Sequence, residues 1–350
     1  MKLLVITQAV DSEDPILGFF HRWIEEFSHH FEKVTVVCLY KGTYNFPHHV
    51  EVLSLGKEEG VSRLKYILRF YSYIWSRRNG YDAVFVHMNP VYVVLGGTLW
   101  RLLGKRIMLW YTHRAVSVGL FLSVFLAHEI FTATPETFRI KSRKVRALGH
   151  GIDMTLFIKE KELKKNTGVP ELLHVGRISS VKKIETVIQA LDILRTTHRV
   201  NARLTLVGGP VSRGDIAYLE RIKRMVAERR LGGCVVFKGS VPNAGIAKHY
   251  RGADITLNPS ETGGIDKVAL ESMASGVPVL ASNPALKHYF GHYTDRLLFD
   301  SRDPGELASR IAELLASKDR REIATYLKKR VAETSDLGVL IKKIAVIVKK

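Results

Sequence analysis

Two cations, Arg177 and Lys182, sit in the stretch V-G-R-I-S-S-V-K-K that follows a strand-length apolar run starting at Leu172. An apolar helical period begins near Lys183, so a helix N-terminus backs the pair, and two positive side chains with such a terminus behind them form a site for a diphosphate. Loop cations are usually just solvated. Here their spacing at the carboxyl end of a strand points to phosphate.

A second stretch, N-P-S-E-T-G-G-I-D-K-V-A-L-E-S-M-A-S-G-V-P-V from Asn258 to Val279, reads as the end of a strand, a glycine turn, a short helix stopping at Gly276 and a return strand. Gly263 and Gly264 lack a Cβ, so backbone N–H groups there can approach an anion or a sugar closely. Glu271 lies inside the helix beside Leu270 and Met273. A carboxylate so placed needs partners: sugar hydroxyls in one reading, a neighbouring lysine on the helix surface in the other. His113 follows M-L-W-Y-T, and His87 ends the run from Ala83. Each stands at the carboxyl end of a predicted strand, the ligand-facing edge of an open α/β sheet, or else is a structural histidine.

The elements that must hold these residues alternate. Strand-like runs at Lys2–Thr7, Val34–Leu39, Val50–Leu53, Ala83–Val86, Arg106–Trp110, Ile130–Ala133 and Val145–Leu148 are separated by helical patterns at Ile16–Phe31, Leu64–Arg77 and Val91–Leu103. The alternation resumes at Leu172. It predicts parallel sheets covered on both faces. With 350 residues, two domains are expected: 1–157, a Lys-rich linker 158–170, 171–335, and a basic amphipathic helix 336–350 that can cross back to the first domain. No G-x-G-x-x-G follows the first strand, which weighs against an NAD enzyme.

Hydrophobic residues at 46% and charged residues at 25% are those of a water-soluble globular chain. Cys38 and Cys234 lie far apart in apolar runs, read as free thiols in a reducing compartment with no metal spacing. The longest apolar stretch, Ala115 to Ala127, is too short to span a bilayer, and the N-terminus carries no signal-peptide pattern. A cytoplasmic protein is expected.

The net charge of +19 implies a polyanionic neighbour without choosing among phosphate-rich substrate, anionic lipid and nucleic acid. Arg63 to Arg78 is more specific, with five basic residues and no acidic one. Leu64, Ile67, Leu68, Tyr71, Ile74 and Trp75 form one helical stripe, which packs on the sheet in the plainest reading. Tyr66, Phe70 and Tyr73 extend beyond it, however, and basic plus aromatic is the composition of a helix lying on anionic lipid.

The motif P-S-x-x-G-G-x-x-K-V-x-L-E-S-M-A-S-G-V-P-V resembles the donor signature of the retaining family 4 glycosyltransferases of GT-B fold. The resemblance implies an α/β fold of two Rossmann-like doubly wound domains facing across a cleft. Glu271 matches the signature's second glutamate, which holds the donor ribose, whereas Gly263 stands where the first glutamate belongs. Glu261, Asp266, or the backbone of Gly263, Gly264 and Ile265 are then expected to meet the sugar. Gly176, Arg177 and Lys182 match G-R-x-x-x-x-K, with both cations on the β-phosphate and Lys183 in place of the usual glycine. Gly208 belongs to the element below the nucleotide; Lys238, Gly239 and Val241 match a segment whose main chain meets the base. In the first domain Gly18 permits close approach to the donor phosphates. Asp14 and His21, with Asp11 and His87, are acceptor candidates, and His113 resembles the histidine beside the transferred sugar. G-H-G-I-D, ending at Asp153, is similar to the family's hinge.

The implied activity is retaining transfer of a hexose-type sugar from a UDP- or GDP-sugar to a hydroxyl of a glycan or lipid-linked acceptor. No metal or other cofactor is expected, because no D-x-D motif sits on a suitable loop and Arg177 and Lys182 supply the charge. The enzyme would work at the cytosolic membrane face, with no nucleic acid partner. Rival readings are a GT-B sugar-nucleotide epimerase or hydrolase, and a basic membrane- or nucleic-acid-binding protein without catalysis.

Overall fold

The computed structural model describes residues 1–14, 16–157, 168–261 and 264–350. Two compact units emerge, one of Met1–Asp153, Pro242–Ala244 and Ser335–Lys350, the other of Met154–Val241 and Gly245–Thr334. Most of the expected linker, 158–167, lies outside the described residues.

The first unit holds seven strands: β1 (Lys2–Val10), β2 (Lys33–Lys41), β3 (Val50–Ser54), β4 (Ala83–His87), β5 (Arg106–Trp110), β6 (Glu129–Thr132) and β7 (Val145–Ala147). They form one sheet in the order β3-β2-β1-β4-β5-β6-β7, with every pairing parallel. Leu3 to Ile6 in central β1 are fully buried, as a strand covered on both faces requires.

Helix α1 (Phe19–Ser28) and the C-terminal helix Leu337–Lys349 cover one face. Phe20, Trp23 and Phe27 share a core there with Leu340, Ile341 and Ile344. The returning chain is tied to the outgoing one: Ile152 donates its N–H to Ser335 at 2.8 Å, and Leu337 donates to Ile152 at 2.9 Å. Gly151 is needed at that crossing, since a Cβ would come within 2.9 Å of Trp23 and 2.8 Å of Leu337.

Helices α2 (Arg63–Ser76), α3 (Pro90–Leu102) and α4 (Val118–Leu126) cover the other face, through Phe70, Ile74, Val93, Trp100 and Leu120. This corrects the expected packing of α2. Its inward residues are Phe70 and Ile74, supported by Tyr66 and Tyr73, while Leu64 at 66%, Leu68 at 61% and Trp75 at 52% exposure form a stripe facing out. On α4, Phe121 at 56% and Phe125 at 76% are likewise exposed. No helix among the described residues is long and apolar enough to cross a membrane.

The second unit contains β8 (Glu171–Val175), β9 (Arg203–Val207), β10 (Val235–Gly239), β11 (Ile255–Asn258) and β12 (Val279–Ala281), all parallel in the order β10-β9-β8-β11-β12. From β8 the chain moves outward to β10, then returns to β11 on β8's other side. The reversal between β8 and β11 is a topological switch point, where open α/β sheets bind ligands at the strands' carboxyl ends.

Candidate functional site

In the second unit, glycines form a floor at the carboxyl ends of three adjacent strands. Gly176 after β8, Gly208 after β9 and Gly239 ending β10 have φ of 147°, 134° and 71°. Gly176 donates to Val207 at 2.9 Å, Ile178 to Gly209 at 3.0 Å and Gly208 to Gly239 at 2.8 Å. A Cβ on Gly208 would overlap the Gly176 carbonyl, so these loops can lie this close only without side chains.

The two expected phosphate ligands stand on this floor. Arg177 donates from Nε to Ser179 Oγ at 3.4 Å and lies 4.0 Å from Asp215, whose carboxylate closes the capping box of helix Arg213–Glu228. Lys182, ending a single 3₁₀ turn, places Nζ 2.5 Å from the Asp266 carboxylate. Lys183 occupies the left-handed region at φ 44°, a conformation that costs a non-glycine residue about 1–2 kcal/mol. Its ammonium bonds Ser301 and lies 3.2 Å from Glu261. The helix beyond, Ile184–Thr196, has its first N–H already taken, because Ile184 donates to Tyr218 Oη at 2.8 Å. A helix N-terminus thus follows the two cations as expected, with one of its N–H groups bonded to the protein.

Asp266 and Glu261, the two expected substitutes for a first glutamate, thus pair with the two adjacent lysines. Asp266 also accepts from Asn258 Nδ2 at 3.4 Å. Ser301 and Lys183 hold the Glu261 carboxyl below the usual range. Gly263 lies outside the described residues. The Gly264 carbonyl accepts from Asn283 at 2.7 Å, Ile265 is buried, and Asp266 precedes helix Lys267–Ala274, whose N-terminus has no side-chain cap.

Glu271, one turn into that helix, accepts a hydrogen bond from the buried Tyr250 hydroxyl at 3.0 Å. Burial pushes its carboxyl pKa up and, in the adjacent Lys267, pushes the ammonium down to about 8. The carboxylate is therefore no solvated surface group: its protein partner is a tyrosine, with a lysine close by. Lys238 and Gly239 are exposed, and Val241 is half-buried just beyond β10.

His174 was missed by sequence reasoning. It is 2% exposed on β8, its Nδ1 lies 2.9 Å from the Leu257 carbonyl across the switch point, and its Nε2 is buried without a partner among the described residues. The only signal was a polar residue inside the otherwise apolar run Leu172–Val175.

First-unit candidates are arranged differently. Asp14 accepts the N–H groups of Ile16 at 2.8 Å and Leu17 at 2.7 Å in the turn before α1, which starts at Phe19 and not at Ile16. Asp11 likewise accepts from Glu13 and Thr43. A Cβ on Gly18 would strike the carbonyls of Asp14 and Ser12, so its close approach is to its own chain. His21 accepts from Asn45 N–H at 3.2 Å and stacks on Phe46 at 4.2 Å. His87 is not at an open edge: it is 2% exposed, stacked 3.9 Å from Phe20 and 3.3 Å from Thr7 Oγ1. His113 is exposed in the loop after β5, edge-on to Tyr111 at 5.9 Å.

Residues 157–330 match the family described as glycosyl transferases group 1. The chain is similar to the D-inositol 3-phosphate glycosyltransferase of Thermobispora bispora, 30% identical over 202 residues that make up 55% of this chain and 45% of that protein. It is also similar to the alpha-monoglucosyldiacylglycerol synthase of Streptococcus pneumoniae, 31% identical over 217 residues, 57% of this chain and 46% of that one. The match thus spans less than half the length of both relatives. Among solved structures, sucrose-phosphate synthase from Thermosynechococcus elongatus superposes with a TM-score of 0.79 at 19% identity, covering 100% of this chain and 98% of that one. Anabaena HepE in complex with UDP gives 0.77 at 17% identity, with both chains covered in full. At these identities the likeness concerns the fold, and the expected GT-B class of two doubly wound α/β units is the fold observed.

Proposed function

Because residues 157–330 belong to the glycosyl transferases group 1, we propose that this protein is a retaining, metal-independent glycosyltransferase that moves a hexose-type sugar from a UDP- or GDP-sugar to a hydroxyl of a glycan or lipid-linked acceptor. The observation that carries the reading is the glycine floor at the second unit's switch point, with the end of Lys182 beside Gly176 and Arg177 on the same loop. The donor diphosphate lies there, and the two cations stabilise the charge that grows as the sugar–phosphate bond breaks, a contribution commonly worth about two orders of magnitude per group. Lys182 exchanges its partner Asp266 for a phosphate oxygen. The freed carboxylate, next to the uncapped N-terminus of helix Lys267–Ala274, then accepts from a sugar hydroxyl. Glu271, held by Tyr250, accepts from the ribose hydroxyls. The acceptor hydroxyl enters on the leaving-group face and passes its proton to the departing phosphate, and His113 orients the sugar ring.

The first unit supplies the acceptor side, working from the cytosolic face of an anionic membrane. Support comes from the outward stripe Leu64, Leu68 and Trp75 on the basic helix α2. The Streptococcus pneumoniae relative, named as a synthase of a glucosylated diacylglycerol, is compatible with this.

The test is an assay of UDP- and GDP-hexoses with and without hydroxyl acceptors, in EDTA. Nucleoside diphosphate release that depends on acceptor, with a glycoside of unchanged anomeric configuration, is expected. Release without acceptor, yielding free or epimerised sugar, would establish the hydrolase or epimerase instead. Loss of turnover in EDTA that Mg²⁺ restores would overturn metal independence.

A further inference from the structure

Central strand β8 carries a histidine where both faces of the sheet are covered. The β8–β11 ladder ends at the pair Leu173 and Thr256. The next carbonyl on β11, that of Leu257, is met by His174 Nδ1 at 2.9 Å. A carbonyl can only accept, so Nδ1 carries the hydrogen and Nε2 presents a bare lone pair. That nitrogen is buried and has no hydrogen-bond partner among the described residues.

What Nε2 faces follows from Gly176. The point where a Cβ of that residue would sit is 3.8 Å from His174 Nε2 and 3.6 Å from Lys182 Cε. The imidazole edge and the end of the lysine therefore flank one small space, kept open because residue 176 has no side chain. An ammonium has three N–H donors, and Asp266 accounts for one of them.

We infer that His174 is a positioning residue for Lys182, its Nε2 serving as a second acceptor that keeps the ammonium over the glycine floor when a diphosphate competes with Asp266. This rests on the reading of Lys182 as a phosphate ligand. A phosphate oxygen brings no proton to the imidazole lone pair, whereas the ammonium does, so the anion and the histidine bond the same lysine from different sides. Burial lowers the imidazole pKa to about 4, which keeps it a neutral acceptor at physiological pH.

A double-mutant cycle on the full chain tests this, with UDP and GDP affinities measured by calorimetry. His174→Asn retains an N–H for the Leu257 carbonyl but drops the far acceptor; His174→Gln places an amide oxygen near the position of Nε2. Lys182→Ala is expected to weaken binding at least about tenfold. His174→Asn should weaken it about three- to tenfold alone, the range of one hydrogen bond, and less than about twofold in the Lys182→Ala background. His174→Gln should bind nearly as the parent does. Equal losses from His174→Asn in both backgrounds, no loss at all, or a loss for Gln matching that for Asn would overturn the inference. Should the Asn variant fail to fold, Gln in the two backgrounds decides: a loss that persists without Lys182 rejects it. If Lys182→Ala itself leaves affinity unchanged, the phosphate reading falls first, and the assignment of His174 with it.

Discussion

In the first unit Asp14, Asp11 and His21 are each held by a backbone N–H that builds the loops around α1, and His87 is stacked in the core. In the second unit Lys182, Lys183, Asp266 and Glu261 pair with one another across loops at a switch point, while His174 keeps a nitrogen with no partner among the described residues. Bonds of the first kind shape a turn and are missed by the fold when lost. Mutual charge pairs at a ligand-binding edge can be exchanged for a ligand, because an incoming anion or hydroxyl can replace one partner of each.

That contrast is broken or sharpened by substitution. The largest effect is expected for Lys182→Ala or Arg177→Ala, a loss in turnover of about a hundredfold or more with a melting temperature close to the parent's; near-normal turnover in both would erase the distinction between the units. Next, Leu68→Asp combined with Trp75→Asp on α2 should lower affinity for anionic vesicles about a hundredfold or more, since each buried apolar side chain contributes about 1.5–3 kcal/mol. UDP binding should not change, and co-sedimentation beside calorimetry checks both halves. Glu271→Ala should weaken donor binding roughly tenfold or more, in the range for a hydrogen bond to a charged group.

Smaller effects are expected where the contrast turns to stability. Asp14→Ala should cost about 1–2 kcal/mol, as loss of a capping carboxylate does, and lower the melting temperature by several degrees while nucleotide affinity stays the same. A fall in nucleotide affinity instead would move Asp14 into the site. The last concerns pH and is felt only in acid. The folded pKa of His174, about 4, lies below the ordinary 6.5. Between those values the unfolded chain binds a proton that the folded chain does not, so stability is full above pH 6.5 and declines as pH falls toward 4. Denaturant melts of His174→Asn should show a flatter acid limb than the parent.

Which parts were legible in the sequence follows from locality. G-R-x-x-x-x-K and the stretch around Glu271 are contiguous motifs, so their strand-turn-helix settings were readable, as were the alternating elements of both sheets. The ion pair of Lys182 with Asp266 joins residues 84 positions apart, and only the order β10-β9-β8-β11-β12 brings them together. Helical periodicity marked a stripe on α2, but it cannot say which edge of a stripe turns to the core: Ile74 does, beside Phe70, while Leu64, Leu68 and Trp75 face out. His174 gave little away, since one histidine in an apolar strand has no spacing to read. The loop residues after β1 were recognised as polar, yet their carboxylates bond backbone groups whose positions depend on the turn itself.

The C-terminal helix bears on how the chain is made. Leu340, Ile341 and Ile344 complete the layer over Trp23 and Phe27, so the half synthesised first stays unfinished until residues 337–349 have been made. During that interval an aromatic surface waits uncovered while the second unit has all of its own strands. Early collapse of the nascent amino-terminal half, or its capture by a chaperone, should therefore be relieved by supplying residues 336–350 as a separate peptide.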